Sequence, residues 1–187
     1  MEALDIPRFI ISLLSFPGII VQQFFVMMFC RIRNIGIYHV SYFRFGKTAG
    51  KVIHEPIEKV SDALIIYLVP FIISTVLCLV IAWPAYLPLE VFHVFGQATN
   101  FLMLWLGISI GMHAVPDVER VMDLYEKVTQ TGSDKNFLSI LAFPFIILLF
   151  LFSALKKFNI DFLYGFFIGI ILPSFFFGHS YNPFQTI

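Results

Sequence analysis

Five long apolar segments, separated by polar stretches, limit the fold of this chain more than any other feature. They cover residues 7–30, 63–83, 100–115, 137–155 and 162–177. A helix that crosses a lipid bilayer needs about 20 mostly apolar residues, and these segments are close to that length. The chain is 59% hydrophobic and only 13% charged, and a soluble core of 187 residues cannot bury so much apolar surface. We therefore predict a single-domain, all-α integral membrane protein with about five transmembrane helices, for which the lipid bilayer is the first partner.

The first apolar segment contains a predicted break. Pro17 disfavours helical geometry at the residue before it but suits the first turn of a helix. We expect a short apolar stretch over residues 9–16, followed by a membrane helix over residues 18–31. The second segment is expected to end before Pro84. The third and fifth segments are near the lower length limit for a span, so the sequence leaves open whether both cross the bilayer fully.

Two polar stretches have their own predicted structure. In the first, Tyr42, Phe43 and Phe45 favour a β-strand, residues 46–50 have the composition of a turn, and residues 51–53 suit the returning strand. This pattern predicts a short β-hairpin at the membrane edge after the first helix. In the second stretch, residues 117–134, apolar side chains recur at helical spacing and predict an amphipathic helix at the cytoplasmic surface.

Lysine and arginine are unevenly distributed among the loops. The loop at residues 31–62 has six, the loop at 116–136 has three, the segment before the first helix has one, and the last loop has two. Because short cytoplasmic loops are enriched in these residues, five spans would place the N-terminus outside and the C-terminus in the cytoplasm. The formal net charge is zero, so we expect no nucleic-acid partner.

Polar side chains inside apolar segments are costly to bury, and three sets of them stand out. Gln22 and Gln23 are adjacent amides, Ser74 and Thr75 follow Pro70, and His113 precedes Pro116 and Asp117. Ordinary structural roles are available to each set. The amides can join helices, the hydroxyls can satisfy a backbone carbonyl freed by proline, and the histidine can lie at the membrane interface. His113 and Asp117 could also ligate a metal ion or relay protons.

The sequence His54-Glu55-Pro56-Ile57-Glu58 is superficially similar to the zinc motif HExxH. In that motif one helix holds two histidine ligands on the same face, with the glutamate beside the zinc-bound water. Here the last residue is Glu58, and Pro56 prevents a helix from including His54 in the required way. We expect no metal at this position.

Four stretches of sequence, in order, resemble a known family. They are FPGIIVQQFFVMMFC, YFRFGKTAGKVIHEP, YLVPFIISTVLCL and WLGISIGMHAVPD. Together they resemble the small membrane metalloproteases related to the site-2 protease family, over about residues 10–125. In that family a Pro-Gly pair opens a membrane helix with HExxH, a hairpin follows, a second helix has an asparagine, and a third helix supplies another zinc ligand. The resemblance leaves residues 137–178 as two further membrane helices.

The resemblance also shows where this chain departs from the family. The two histidines of HExxH fall on Gln22 and Val26, the glutamate falls on Gln23, and the asparagine of the second helix falls on Ser74. His113 and Asp117 lie where the third ligand is expected. Glutamine is a weak ligand, valine is none, and an amide cannot act as a general base. The resemblance therefore implies a non-catalytic member with no zinc.

Three functions remain open from the sequence. The first is a pseudoprotease that binds or regulates another membrane protein or peptide. The second is an active zinc metallopeptidase with atypical ligands, His113, Asp117 and His54. The third is a small structural or transport subunit of a membrane complex.

Overall fold

The computed structural model describes residues 5–42, 50–87, 98–130, 137–155 and 160–177. These residues are mostly helical, with one two-stranded sheet, as predicted for the fold class. The elements are α1 Asp5–Leu14, α2 Phe16–Ile32, β1 Ile37–Ser41, β2 Lys51–His54, α3 Val60–Tyr86, α4 Ala98–Met112, α5 Val118–Gln130, α6 Phe137–Leu155, α7 Ile160–Phe166 and α8 Leu172–Phe177. A π-helical turn at Phe167–Ile171 joins the last two helices.

Among the described residues, α3 alone is long and apolar enough to cross a membrane by length and composition. It has 27 residues, and only about a third of its most apolar part is buried inside the protein. Shorter apolar helical stretches lie at Phe16–Ile32, Ala98–Met112, Phe143–Ala154 and Asp161–Phe176. This one candidate span indicates that the chain is associated with a membrane. The arrangement of five spans stays a prediction.

The break in the first apolar segment lies at Ser15, two residues before the predicted Pro17. Pro17 takes a position in the first turn of α2, where its missing N–H group has no helical partner to lose. The helix can therefore begin at Phe16, and the chain changes direction at Ser15, between α1 and α2.

The hairpin is present, but its first strand lies earlier than predicted. β1 pairs antiparallel with β2, and Val40 lies opposite Val52. Asn34, with a φ of 55°, ends α2 in the left-handed conformation that asparagine tolerates. The chain turns back at once, so the strand forms at Ile37–Ser41 instead of at Tyr42. Phe43 and Phe45 lie outside the described residues.

Two further helix boundaries test the predictions. The expected end of the second span before Pro84 is wrong, because α3 continues through Pro84 to Tyr86. Pro84 deprives only the carbonyl four residues earlier, at Val80, of its helical N–H partner, and the helix continues for just two residues beyond the proline. The predicted amphipathic helix is confirmed as α5, with Val121 and Leu124 fully buried.

One hydrophobic core joins α2, β2, α3, α5 and α6. It includes Val26, Cys30, Val52, Ala63, Ile66, Tyr67, Val121, Leu124, Ile146 and Leu149. The core lies where the hairpin and α5 cover one end of the helices. Val26 and Cys30 of α2 thus share this core with Val121 and Leu124 of α5.

Small residues bring α4 close to its neighbours. A Cβ added at Gly107 would lie 2.8 Å from the Cβ of Ala82 on α3. A Cβ added at Gly165 on α7 would lie 2.7 Å from the carbonyl oxygen of Ile108 and 2.7 Å from the backbone nitrogen of Met112. Such close backbone approach through small residues is typical of helix packing in membranes.

Candidate functional site at the degenerate motif

The three residues at the HExxH positions all lie inside the protein. Gln22 is 6% exposed, Gln23 is 2% exposed and Val26 is 2% exposed. They lie on α2, whose buried face also includes Gly18, Ile19 and Cys30. Burial of two adjacent amides is costly unless each finds a hydrogen-bond partner, so the partners of Gln22 and Gln23 define what this site can do.

Gln23 is bound by an arginine from another helix. Nη2 of Arg120, in the first turn of α5, donates to Oε1 of Gln23 over 2.9 Å. A hydrogen bond from a charged donor is stronger than one between neutral groups, and here it satisfies the buried amide oxygen. No local sequence pattern predicts this pair, because the two residues are 97 positions apart.

Gln22, Gln23 and Val26 lie on the buried side of α2, which we call the motif face. Nε2 of Gln22 donates a long hydrogen bond of 3.5 Å to the carbonyl oxygen of Val115, which follows α4. Val26 has no polar role and packs in the hydrophobic core with Cys30 and Leu124. The side chains at the three positions that the resemblance aligns with HExxH thus join α2 to Val115, to Arg120 of α5 and to the hydrophobic core.

His113 contacts Ser15, at the break before α2. Oγ of Ser15 donates its one proton to the carbonyl oxygen of Ile11 over 2.7 Å. Nε2 of His113 lies 2.8 Å from the same Oγ and must therefore be the donor. A serine nucleophile needs a histidine that accepts its proton. Here the hydroxyl proton of Ser15 is donated to the carbonyl oxygen of Ile11 instead. The contact joins two segments and does not activate Ser15.

Ser109 strengthens this junction. Its Oγ donates to the carbonyl oxygen of Ser15 over 2.9 Å and accepts from the backbone N–H of Gly18 over 2.9 Å. His113 directly follows the last residue of α4 and is four residues after Ser109, a spacing that places the two on one side of a helical turn. Their spacing is the sequence signal that could have identified this junction. We call the residues Ser15, Gly18, Ser109 and His113 the serine–histidine clasp.

Ser74 lies apart from the contacts of the motif face. It is 1% exposed, and within the described parts of the chain its Oγ has no hydrogen-bond partner; the same holds for Nδ2 of Asn100. The interpretation that the hydroxyls satisfy a carbonyl freed by Pro70 is wrong for Thr75. Proline at position 70 frees the carbonyl four residues earlier, whereas Oγ1 of Thr75 donates to Phe71.

Asp117 and His54 have separate surroundings. Asp117 is exposed, and its backbone carbonyl accepts from the N–H groups of Arg120 and Val121 at the start of α5. Nε2 of His54 lies 3.4 Å from the hydroxyl of Tyr67, which donates to Asp123. Within the ranges that the structure describes, no three His, Cys, Asp or Glu side chains are grouped so that they could hold a metal ion.

The residues at the motif positions do not fit a zinc ion. Two amides and an isopropyl group supply no anionic or imidazole ligand. The guanidinium of Arg120 also lies 2.9 Å from Oε1 of Gln23, so a second cation there would meet an existing positive charge. No hydrolytic step through zinc follows from this arrangement.

Comparison with known proteins identifies no relative of this chain. No family model matches the chain, and no curated protein or solved structure matches it. The resemblance to site-2 protease-like proteins stays a prediction from the four sequence stretches.

Proposed function

We propose that this chain is a non-catalytic, site-2 protease-like membrane protein that binds a segment of another membrane protein. The observation that supports this proposal most strongly is the contact between Gln23 and Arg120. It fills the position of the family's general base with an amide and places a cation beside it. A chain that keeps the order of the family's elements while filling its centre in this way is better suited to binding than to hydrolysis.

The multi-pass membrane arrangement is part of the proposal. Apolar side chains on α3, α4, α6 and α8 point away from the protein; Val80 is 62% exposed, Leu102 61%, Leu151 54% and Phe175 69%. Ile72, Val76 and Val80 form a stripe along one face of α3 at four-residue spacing. Such continuous apolar faces in water would cause aggregation, whereas lipid chains cover them without cost. The hairpin and α5 then lie on the cytoplasmic side.

The hairpin is the proposed binding element. An isolated two-stranded sheet is marginally stable, and an extended segment can add to a free strand edge through backbone hydrogen bonds. Ile53 on β2 is 46% exposed and Tyr38 on β1 is 68% exposed, so apolar side chains are available beside the edges. Val52 and the helix α2 beneath it fix the position of the sheet.

We expect purified protein to contain far less than one zinc ion per chain. The measurement is elemental analysis of protein extracted in mild detergent without chelators, with a His113→Ala variant alongside. Since Gln22, Gln23 and Val26 supply no zinc ligand of ordinary strength, the two proteins should give the same low value. One tightly held zinc per chain that disappears in His113→Ala would contradict the zinc-free proposal.

A photoreactive amino acid at Ile53 should cross-link to one discrete membrane protein in native membranes. Mass spectrometry should place the cross-linked residue of that partner within or next to a membrane segment. The matched control carries the same group at Val80, an exposed apolar position on the proposed lipid-facing stripe of α3. Cross-linking at Val80 to the same protein with equal yield, or none at Ile53, would refute binding at the hairpin.

A further inference from the structure

An open pocket lies between the end of α2 and the hairpin, away from the motif face. Its volume is about 420 Å³. It is lined by Arg31, Ile35, Ile37, Tyr38, His39 and Val40. Three of these side chains are aliphatic, and three carry polar groups able to donate hydrogen bonds to an anion. We propose that this pocket binds the phosphate group and upper acyl chain of an anionic phospholipid.

One carboxylate lies beside the pocket, that of Glu55, whose Oε2 accepts from the backbone N–H of Gly36 over 3.3 Å; it forms no ion pair with Arg31. Arg33 pairs with Asp62, and Lys51 pairs with Glu119 over 2.9 Å. Arg31 has no ion pair among the residues described, and it is exposed. An arginine left without a carboxylate, beside a histidine, is suited to a phosphate because its planar group offers two parallel donors.

The position of the pocket agrees with a lipid headgroup. Arg31 is in the last turn of the apolar helix α2, where a membrane helix reaches the interface. Tyr38 is 68% exposed, and tyrosine is enriched at that level of the bilayer. On the cytoplasmic side the leaflet contains anionic lipids, and basic pockets near helix ends bind their headgroups. This step rests on the membrane location proposed above but not on the protein partner.

The aliphatic wall distinguishes a lipid from free phosphate. Ile35, Ile37 and Val40 line the same pocket as Arg31, and a small inorganic anion would leave them without an apolar partner. A phospholipid offers both parts in one molecule, because a glycerol unit joins its phosphate to its acyl chains. The occupant is therefore amphipathic.

The test measures binding of a short-chain phosphatidylglycerol to the purified full chain by native mass spectrometry. Wild-type protein should bind phosphatidylglycerol more tightly than short-chain phosphatidylcholine. The double variant Arg31→Gln with His39→Gln should bind phosphatidylglycerol about 10-fold more weakly, since it loses the guanidinium and imidazole donors to the phosphate. The matched control, Lys59→Gln, removes an exposed cation outside the pocket and should keep wild-type affinity.

Several results would overturn the inference. They are an unchanged affinity in the double variant, an equal loss in Lys59→Gln, or displacement of the lipid by an equal concentration of inorganic phosphate. A photoreactive phosphatidylglycerol analogue gives a second measurement on the wild-type protein, independent of any variant. Its cross-links should map to residues 31–40, and cross-links only to other segments would refute the site. None of these failures bears on cross-linking at Ile53.

Discussion

Replacing Gly18 with alanine is expected to lower the free energy of unfolding by about 3 kcal/mol or more, since overpacking against rigid backbone is among the costliest changes. A Cβ at this position would lie 1.9 Å from the carbonyl oxygen of Ser109 and 2.5 Å from its carbonyl carbon. Both are backbone atoms of α4, so α2 and α4 must separate. Separation also breaks the hydrogen bonds of the serine–histidine clasp.

The measurement is reversible unfolding in mixed micelles of a mild detergent and dodecyl sulfate. Ile20→Ala is the matched control, because Ile20 lies on the same helix and is 37% exposed. Ile20→Ala should lower the free energy of unfolding by about 1 kcal/mol or less, since the substitution removes little buried contact. Equal stability of Gly18→Ala and the wild type would mean that α2 and α4 are not in the close contact described.

The second large effect is expected at the contact between α2 and α5. Gln23→Leu removes the acceptor for Arg120, which is partly buried, and should cost about 2–4 kcal/mol of stability. Arg120→Met leaves Oε1 of Gln23 buried without a donor and should cost about 1–3 kcal/mol. The double variant replaces both partners with apolar groups. Its loss of stability should be smaller than the sum of the two single losses by about 1.5 kcal/mol or more.

The unfolding assay described for Gly18 also measures this cycle. Lys51→Met is the control, because it breaks another contact to α5, the exposed pair with Glu119. An exposed ion pair contributes little, so its removal should change stability by about 0.5 kcal/mol. Additive losses in the Gln23 and Arg120 variants would show that the two side chains do not interact.

Local sequence patterns predicted the elements but not their contacts. The apolar run at residues 137–155 coincides with α6, and the apolar spacing after Asp117 identifies α5. These signals depend on neighbours within a few positions along the chain, which a sequence displays directly. The shift of the first strand from Tyr42 to Ile37–Ser41 shows the limit of that approach, because it depends on the turn at Asn34.

The sequence indicates only some of the residues that form the candidate site. Gln22 and Gln23 stand out in the sequence because amides are unusual in an apolar helix. For Arg120, which binds Gln23, the sequence predicts only a place in an amphipathic surface helix, since nothing local indicates which part of the protein that helix contacts. Gly107, Gly111, Gly165 and Gly169 repeat a four-residue spacing of small residues that would have indicated the close packing of α4.

The glycine contacts of α4 have a consequence for the order of assembly during synthesis. Ile108 and Met112 on α4 meet the backbone at Gly165, in a helix made more than fifty residues later. Until that helix is made, this side of α4 must be covered by something other than α7. The α3–α4 pair can form early, but its final geometry is reached only when α7 arrives. Ribosomal pausing before residue 160 would therefore hold the protein as a partly assembled intermediate.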